Sequence, residues 1–304
     1  MHAAISMCRI DLWHASSTVI ARHAAIFLSS TTKCLTKRIS SIAAHITRVR
    51  FVTKFNSDRV DQIVRSDTIA ALNLSMFTNH DIINTVLQRS EVLFDLHRPG
   101  TLIRKWSNGD PSALEAEVDA RGQLLLKRAI SVLYLEYLAL KPTLDQILPK
   151  RVADIGCGYG FIDLFIAKEY GCDITLIDIE TNDKAHFGFQ DEGAAYTSLE
   201  TAKRFLTQNS VSDEKVVTKN PGKDDLNGIK KVDLALSLLS CGFHYPTSRY
   251  ANFWENNVSE NGSIILDLRN ARTETQLLEL IQIGSIRTLW KESKWNRILV
   301  QKSS

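Results

Sequence analysis

The segment that most constrains the fold reads VADIGCGYGFIDLFIAKEYGCDITLIDIE and spans residues 152–180. An apolar strand leads into Asp154, and closely spaced glycines follow it. The next ten residues, Phe161–Tyr170, are apolar over a broad face and predict a helix, which Gly171 is suited to end. The β-branched stretch Cys172–Ile177 then predicts a buried parallel strand that ends at Asp178. Such a strand–turn–helix–strand unit predicts an α/β protein with a doubly wound parallel sheet.

The spacing of the glycines distinguishes two kinds of cofactor site. Gly156, Gly158 and Gly160 give the pattern Asp-x-Gly-x-Gly-x-Gly, whereas the dinucleotide fingerprint G-x-G-x-x-G would place its last glycine at Phe161. An acid directly before the turn would repel a pyrophosphate, but it suits a cofactor that carries an ammonium and a sulfonium group. A glycine turn alone is also compatible with a simple tight strand-to-helix connection.

Residues 152–180 resemble the first motif of class I methyltransferases, which bind S-adenosylmethionine. The resemblance implies a Rossmann-like sheet of seven strands, mostly parallel, that closes on an antiparallel last strand. It also implies that Asp154 faces the amino group of the cofactor, and that Asp178 binds the ribose hydroxyls. The other residues expected to contact the cofactor are Gly156, Cys157, Gly158, Tyr159, Gly160, Ile179 and Ser237.

Charge divides the chain unevenly. Residues 1–57 contain eight Lys or Arg and one acid, Asp11, while the whole chain has a net charge of +3. The remainder is therefore mildly acidic and offers no electrostatic support for a nucleic-acid partner. We predict residues 1–57 to be a disordered basic extension of a cytoplasmic protein, with an organelle transit peptide over residues 1–50 as the alternative. Arg22 and His23 interrupt its most apolar stretch, so no membrane span is predicted.

Residues 58–148 are predicted to be helical, and residues 149–304 to form the S-adenosylmethionine-binding domain. The patterns indicate a helix over residues 79–97 capped by Asn79, and a long helix that has Pro111 near its start and ends before Pro142. Tyr134 and Tyr137 on the long helix are predicted to be core residues. The methyltransferase resemblance implies that this segment covers the cofactor and shapes the acceptor pocket.

Three further strands and a terminal hairpin are predicted downstream. EKVVT, VDLALSLLS and GSIILDL supply the strands, Pro246 opens a helix, and TETQLLELIQIG is a helix that ends at Gly284. SIRTLW and RILVQK flank KESKWN and predict the hairpin. Lys219 and Asn220 end the third strand, where methyltransferases usually have an acid for the adenine amine. The five cysteines are scattered without a C-x-x-C motif, so neither a zinc site nor a disulfide framework is predicted.

The chemistry is expected in SLLSCGFHYP, residues 237–246, because ligands bind at the carboxyl ends of parallel strands. Amino-group methyltransferases usually carry Asn or Asp, two prolines and an aromatic residue here, and this sequence does not. His244 is the predicted general base for O-methylation, and a structural histidine is the alternative. Tyr245 and Arg269 are the predicted acceptor-binding residues. Asp267 could also bind hydroxyls, but Asp233 begins its strand at the opposite end, so no metal site is predicted.

Two segments, HFGFQDEGAAYTSLETAKRFL and LSLLSCGFHYPTSRY, resemble sugar O-methyltransferases of bacterial polysaccharide and small-molecule pathways. The resemblance covers about residues 120–270 and implies O-methylation of a sugar or another hydroxylated small molecule. Two other classes remain open: an N-methyltransferase acting on a small molecule or a protein, and a non-catalytic cofactor-binding scaffold.

Overall fold

Seven strands form one sheet in the order β3-β2-β1-β4-β5-β7-β6. The first five strands run parallel, and β7 is antiparallel to both of its neighbours. The predicted doubly wound α/β sheet with an antiparallel last strand is confirmed. The strands are β1 (Arg151–Ile155), β2 (Asp173–Ile177), β3 (Val216–Lys219), β4 (Val232–Ser237), β5 (Val258–Arg269), β6 (Gly284–Lys291) and β7 (Trp295–Lys302).

This computed structural model describes residues 55–180 and 197–304. The predicted extension over residues 1–57, with its transit-peptide alternative, lies outside the described residues except for its last three. The beginning of the sugar-methyltransferase-like segment, residues 186–196, lies outside them as well. The described helices are α1 (Ser57–Val64), α2 (Asp67–Ala70), α3 (Asn79–Gln88), α4 (Pro99–Ser107), α5 (Ser112–Ile147), α6 (Phe161–Tyr170), α7 (Leu199–Thr207), α8 (Ala251–Asn256) and α9 (Thr273–Leu280). In these ranges no helix is both long and apolar enough to cross a membrane.

The strand–turn–helix–strand unit forms as predicted. β1 pairs in parallel with β2, with Val152 opposite Ile174, and α6 connects them. Gly171 ends α6 in the left-handed conformation, with φ +61°, and its N–H donates to the carbonyl of Ala167. This geometry is the usual reason for a glycine at the end of a helix. Seven of the ten residues of α6, from Phe161 to Ala167, are buried.

The first helices differ from prediction at their ends. Thr78, not Asn79, caps α3: its side chain accepts from the Asp81 N–H while the Asp81 carboxylate accepts from the Thr78 N–H. This reciprocal capping box fixes Thr78 as the residue before the helix and Asn79 as its first residue. The helix ends at Gln88, and a 3₁₀ turn over Ser90–Leu93 replaces the rest of the predicted helix.

The long helix α5 continues through Pro142, where the sequence predicted its end. A proline inside a helix removes one backbone hydrogen bond. Here Leu140 and Leu144, on either side of it, are fully buried, so burial of the apolar face offsets that loss. Pro111 is the residue before the helix and not its first residue, and Arg121 has non-helical dihedral angles that mark a kink. Tyr137 is buried and Tyr134 packs against the same core, as predicted.

One predicted helix end in the C-terminal region is wrong. The helix α9 ends at Leu280, and Gly284 begins β6 instead of ending the helix. A Cβ atom on Gly284 would lie 1.9 Å from the carbonyl oxygen of Gln301. The glycine is therefore required by the close approach of β7, which the local sequence does not reveal.

Candidate cofactor and acceptor site

The glycine turn after β1 takes a conformation that glycine adopts most easily. Gly156, Gly158 and Gly160 have φ values of +76°, +60° and +69°. A Cβ atom on Gly156 would lie 2.0 Å from Oγ of Ser240, whereas one on Gly158 would have no neighbour closer than 3.9 Å. The turn thus lies against the loop that follows β4, while the backbone at Gly158 stays open to a close approach.

Asp178 joins the end of β2 to the glycine turn. One carboxylate oxygen accepts from the N–H of Gly158 at 2.9 Å, and the other accepts from the N–H of Glu180 at 3.0 Å. Burial raises the pKa of Asp178 to about 6, although these N–H donors favour the ionised form. A carboxylate oxygen can accept more than one hydrogen bond, so Asp178 can also accept from two neighbouring hydroxyl groups.

Glu180 and Asn220 extend the site toward the end of β3. Glu180 has φ +63°, and its carboxylate accepts from the Leu199 N–H at 3.1 Å and from Asn220 Nδ2 at 3.0 Å. Asn220 Nδ2 also lies 3.3 Å from the carbonyl oxygen of Ile179. At the end of β3 the sequence has Asn220 and not the acid usual in methyltransferases, and in the structure Asn220 donates to the carboxylate of Glu180. Glu180 follows Asp178 closely in the sequence, but no local pattern indicates its pairing with Asn220.

Asp154 is buried in the centre of the sheet, directly before the turn. Its side chain is 3% exposed, and its Oδ1 has no hydrogen-bond donor among the residues that the structure describes. A second acid, Asp163, lies against it from the first turn of α6. Burial, and then the neighbouring Asp163, raises the pKa of Asp154 well above its usual value.

Two of the predicted cofactor contacts have side chains that bind other residues, and the side chain of a third is buried. The hydroxyl of Tyr159 donates to Asp81 of α3 at 2.8 Å, so this ring faces the helical segment. Ser237 is fully buried; its Oγ donates to the Ile155 carbonyl at 2.6 Å and accepts from the Cys241 N–H at 2.8 Å. Cys157 is buried in the turn, and burial raises the pKa of its thiol. The three predicted contacts Cys157, Tyr159 and Ser237 are therefore all buried residues.

His244 lies in a tight loop at the carboxyl end of β4. Its N–H donates to the carbonyl of Ser240 at 2.7 Å, and Ser240 is the residue that lies against Gly156. The carbonyl of Gly242 accepts from the Arg269 N–H at 3.1 Å and from Gln276 Nε2 at 2.9 Å, which ties the loop to the end of β5. The structure therefore brings the predicted base loop and the glycine turn together.

The predicted acceptor residues lie at the same end of the sheet. The Arg249 guanidinium lies 5.3 Å from the centre of the Tyr245 ring, and the Arg269 guanidinium lies 5.9 Å from the centre of the Phe243 ring. Tyr245 and Arg269 are both partly exposed. His244 is partly exposed as well.

A buried ion network next to this loop was not predicted. Arg297 of β7 donates two hydrogen bonds of 2.6 Å to Asp267 and one of 3.1 Å to Glu136 of α5. Asp267 also accepts from the N–H of Leu239 at 3.1 Å. Asp267 is thus fully buried and paired, which corrects the expectation that it could bind hydroxyl groups of an acceptor. Sequence alone offered no signal, because the partners are distant along the chain.

No cluster of three or more possible metal ligands occurs in the described ranges. Asp233 accepts from the N–H groups of Lys150 and Arg151 at 3.1 and 3.0 Å, at the amino end of the sheet, far from the carboxyl end where Asp267 lies.

Comparison with known proteins gives structural likeness only. No family model and no curated protein matches the sequence. A candidate O-methyltransferase from Nostoc punctiforme is 12% identical with a TM-score of 0.44, and the match covers 59% of each chain. An O-methyltransferase family protein from Burkholderia thailandensis is 10% identical with a TM-score of 0.38, covering 58% of this chain and 60% of that one. Human N-acetylserotonin methyltransferase, solved with S-adenosylmethionine, is 13% identical with a TM-score of 0.39, covering 64% and 59%.

The chain thus spans about three fifths of the length of these three structures. Scores of this size carry no conclusion about activity, and the strand order decides the fold. In the order β3-β2-β1-β4-β5-β7-β6, β7 runs antiparallel to both of its neighbours, and the methyltransferase resemblance implied such a mostly parallel sheet of seven strands with an antiparallel last strand. The protein has the class I methyltransferase fold.

Proposed function

We propose that this protein is an S-adenosylmethionine-dependent O-methyltransferase that acts on a hydroxylated small molecule, with sugars as the first class to test. The observation that carries the proposal is the hydrogen bond from the Gly158 N–H to Asp178. It places a carboxylate beside an open glycine backbone at the carboxyl ends of two neighbouring parallel strands, where ligands bind in this type of sheet.

The residues present fit the cofactor. The backbone at Gly158 leaves room that a side chain would fill, and Asp154 has a buried oxygen without a donor among the described residues. In this proposal Asp178 accepts hydrogen bonds from the ribose hydroxyls, and Asp154 faces the ammonium group. When bound, S-adenosylmethionine supplies an electrophilic methyl group on its sulfonium sulfur. The sulfur leaves as a neutral thioether when an oxygen nucleophile takes the methyl group.

His244 is the proposed general base. Alkyl hydroxyls are weak nucleophiles, so a base that takes the hydroxyl proton as the new carbon–oxygen bond forms can contribute about 10²- to 10⁴-fold to the rate. Tyr245 and Arg269 are proposed to hold the acceptor beside the imidazole, with ring stacking and hydrogen bonds to hydroxyl groups. Positioning of the two reactants supplies the larger share of the acceleration.

The helices of residues 58–148 are proposed to cover the site. Support comes from the hydrogen bond between Tyr159 in the glycine turn and Asp81 of α3, and from the contact of Glu136 on α5 with Arg297. Both contacts attach this helical segment to the carboxyl end of the sheet. A cover of this kind excludes water from a transferable methyl group.

A labelling experiment tests the class of acceptor. The protein is incubated with S-adenosylmethionine carrying a labelled methyl group and with separate panels of sugars, nucleotide sugars and amines. We expect label in a hydroxylated acceptor. Label confined to amines would support N-methylation instead, and cofactor binding without label in any panel would support a scaffold role.

The role of His244 is tested with His244→Ala and His244→Gln. We expect His244→Ala to lower turnover by about 10²-fold or more while cofactor affinity stays nearly unchanged, because a base acts in the chemical step. The acidic limb of the wild-type pH profile should disappear in both variants. Full activity of His244→Gln with an unaltered profile would make His244 a structural residue.

A further inference from the structure

The buried acid Asp163 has an unusual position for a residue in the first turn of a helix. Acids there often accept from free backbone N–H groups at the surface. Asp163 is instead completely buried, and neither of its oxygens accepts a hydrogen bond from any described N–H or O–H group. Its side chain therefore has a different partner.

That partner is Asp154. Side chains alternate along a strand, so Asp154 lies on the same face of β1 as Val152, whose core cluster includes the buried residues of α6. The two carboxyl groups lie within hydrogen-bonding reach of each other. Two carboxylates without an N–H or O–H donor cannot both stay ionised in a buried site, whereas one shared proton satisfies both.

The neighbouring charged groups do not neutralise the negative charge of this pair of carboxyl groups. Asp178 at the end of β2 adds negative charge, and Cys157 and Cys172 are buried thiols. Arg297 of β7 is the positively charged group that acts on Asp154, but its hydrogen bonds go to Asp267 and Glu136. Burial is the main cause that raises the pKa of both acids, which for Asp163 reaches about 7.

We propose that Asp163 is a positioning residue of the cofactor site, which shares one proton with Asp154 and loses it to solvent when a cofactor ammonium group binds beside Asp154. This inference rests on the proposed function. The charges balance: the pair changes from one negative charge to two, and the arriving ammonium compensates the added charge. Cofactor affinity therefore rises with pH for as long as the unliganded pair retains its proton.

The test measures protons and does not need an acceptor. Calorimetric titration with S-adenosylhomocysteine at pH 6, below the folded pKa of Asp163, in two buffers with different ionisation enthalpies, gives the number of protons released on binding. The comparison is between wild type and Asp163→Asn. An amide at position 163 can donate to the Asp154 carboxylate, so that Asp154 stays ionised without a shared proton.

We expect the wild type to release about one proton more than Asp163→Asn, which should bind at least as tightly, because the pair then has no proton to lose. The ligand amine, with an ordinary pKa of about 7.7 to 8.0, can take up protons in both proteins, so its contribution cancels in the difference. The contribution of Asp178 cancels in the same way. Equal proton counts would overturn the inference.

Two further measurements test the shared proton independently of the Asp163→Asn variant. Asp154→Asn should lose both affinity and proton release, since it removes the carboxylate itself. In the wild type, the infrared band of a protonated carboxyl group should disappear on addition of S-adenosylhomocysteine, a result that does not depend on any variant folding. A band that persists would overturn the inference as well. Failure of the wild type to bind the ligand would instead contradict the proposed function.

Discussion

Arg297 and Asp267 form a bidentate ion pair across β7 and β5 in which both side chains are completely buried. Through Asp267 the pair reaches the N–H of Leu239, a residue with φ +53° that opens the loop carrying His244. Through Glu136 it reaches α5, where Arg89 adds a further contact at 3.3 Å. One chain of charges thus connects the helical segment, the neighbouring strands β5 and β7, and the candidate base loop.

Removing one partner of this pair should be costly. Arg297→Met leaves Asp267 and Glu136 as buried carboxylates without their cation, and we expect a loss of about 3 to 5 kcal/mol in the free energy of unfolding. Chemical denaturation measures this loss. Arg287→Met is the matched control, because Arg287 is exposed on the neighbouring strand β6 and should change stability little. Equal losses for the two variants would show that the pair contributes nothing specific.

Gly156→Ala should combine backbone strain with a steric clash. At φ +76° the new Cβ would lie 2.0 Å from Oγ of Ser240. Gly109 has a similar φ of +87°, but a Cβ added there would meet no atom within 4 Å. Gly109→Ala therefore measures the backbone strain alone, which should cost about 1 to 2 kcal/mol. We expect Gly156→Ala to lose clearly more stability than Gly109→Ala, and also cofactor affinity. Similar values for both in thermal unfolding would contradict the assigned contact.

The hydrogen bond from Tyr159 to Asp81 should hold the helical segment on the glycine turn. Tyr159→Phe keeps the ring in its aromatic cluster with Phe77 and removes the hydroxyl only. We expect a loss of about 0.5 to 1.5 kcal/mol in unfolding free energy. Tyr170→Phe removes an exposed hydrogen bond to Asp145 and should cost less. The reverse order of the two losses would count against this attachment.

The Asp154 and Asp163 pair predicts a pH dependence of stability. A pKa raised by folding gives stability that is complete below the unfolded value, about 3.9, and is lost as pH rises through the folded value, about 7 for Asp163. Asp163→Asn avoids this loss. Relative to wild type, it should therefore gain at least about 1.4 kcal/mol, the equivalent of one pKa unit, between pH 4 and pH 8. Asp173→Asn, at an exposed position on β2, is the control. A pH-independent difference would refute the shared proton.

Local patterns were sufficient for the strand–turn–helix–strand unit. Gly156, Gly158 and Gly171 indicate a turn and a helix end through their own backbone requirements, and the structure places each as predicted. Patterns failed where tertiary packing decides. The helix α5 passes Pro142 because its buried leucines fix it in place, and Gly284 serves the close approach of Gln301 on a different strand.

The candidate site also contains some residues that local sequence patterns predict and others that they do not. Asp178 could be predicted, since it ends a strand at a fixed distance from the glycines. The pairs Arg297–Asp267 and Tyr159–Asp81 join residues that are 30 and 78 positions apart. The periodic patterns of helices and strands relate only residues that are close in the sequence. The folded structure is therefore needed to show that the acids at positions 81 and 267 are structural.

Calorimetric titration with S-adenosylmethionine tests the central claim most directly, on wild type, Asp178→Ala and Asp173→Ala. Asp178 accepts from the glycine turn at the carboxyl end of β2, and Asp173 lies exposed at the opposite end of the same strand. We expect the wild type to bind one equivalent, Asp173→Ala to bind equally well, and Asp178→Ala to lose about 1.5 to 3 kcal/mol, the worth of charge-assisted hydrogen bonds. A wild type that does not bind, or an Asp178→Ala variant of unchanged affinity, would contradict the assignment of this site.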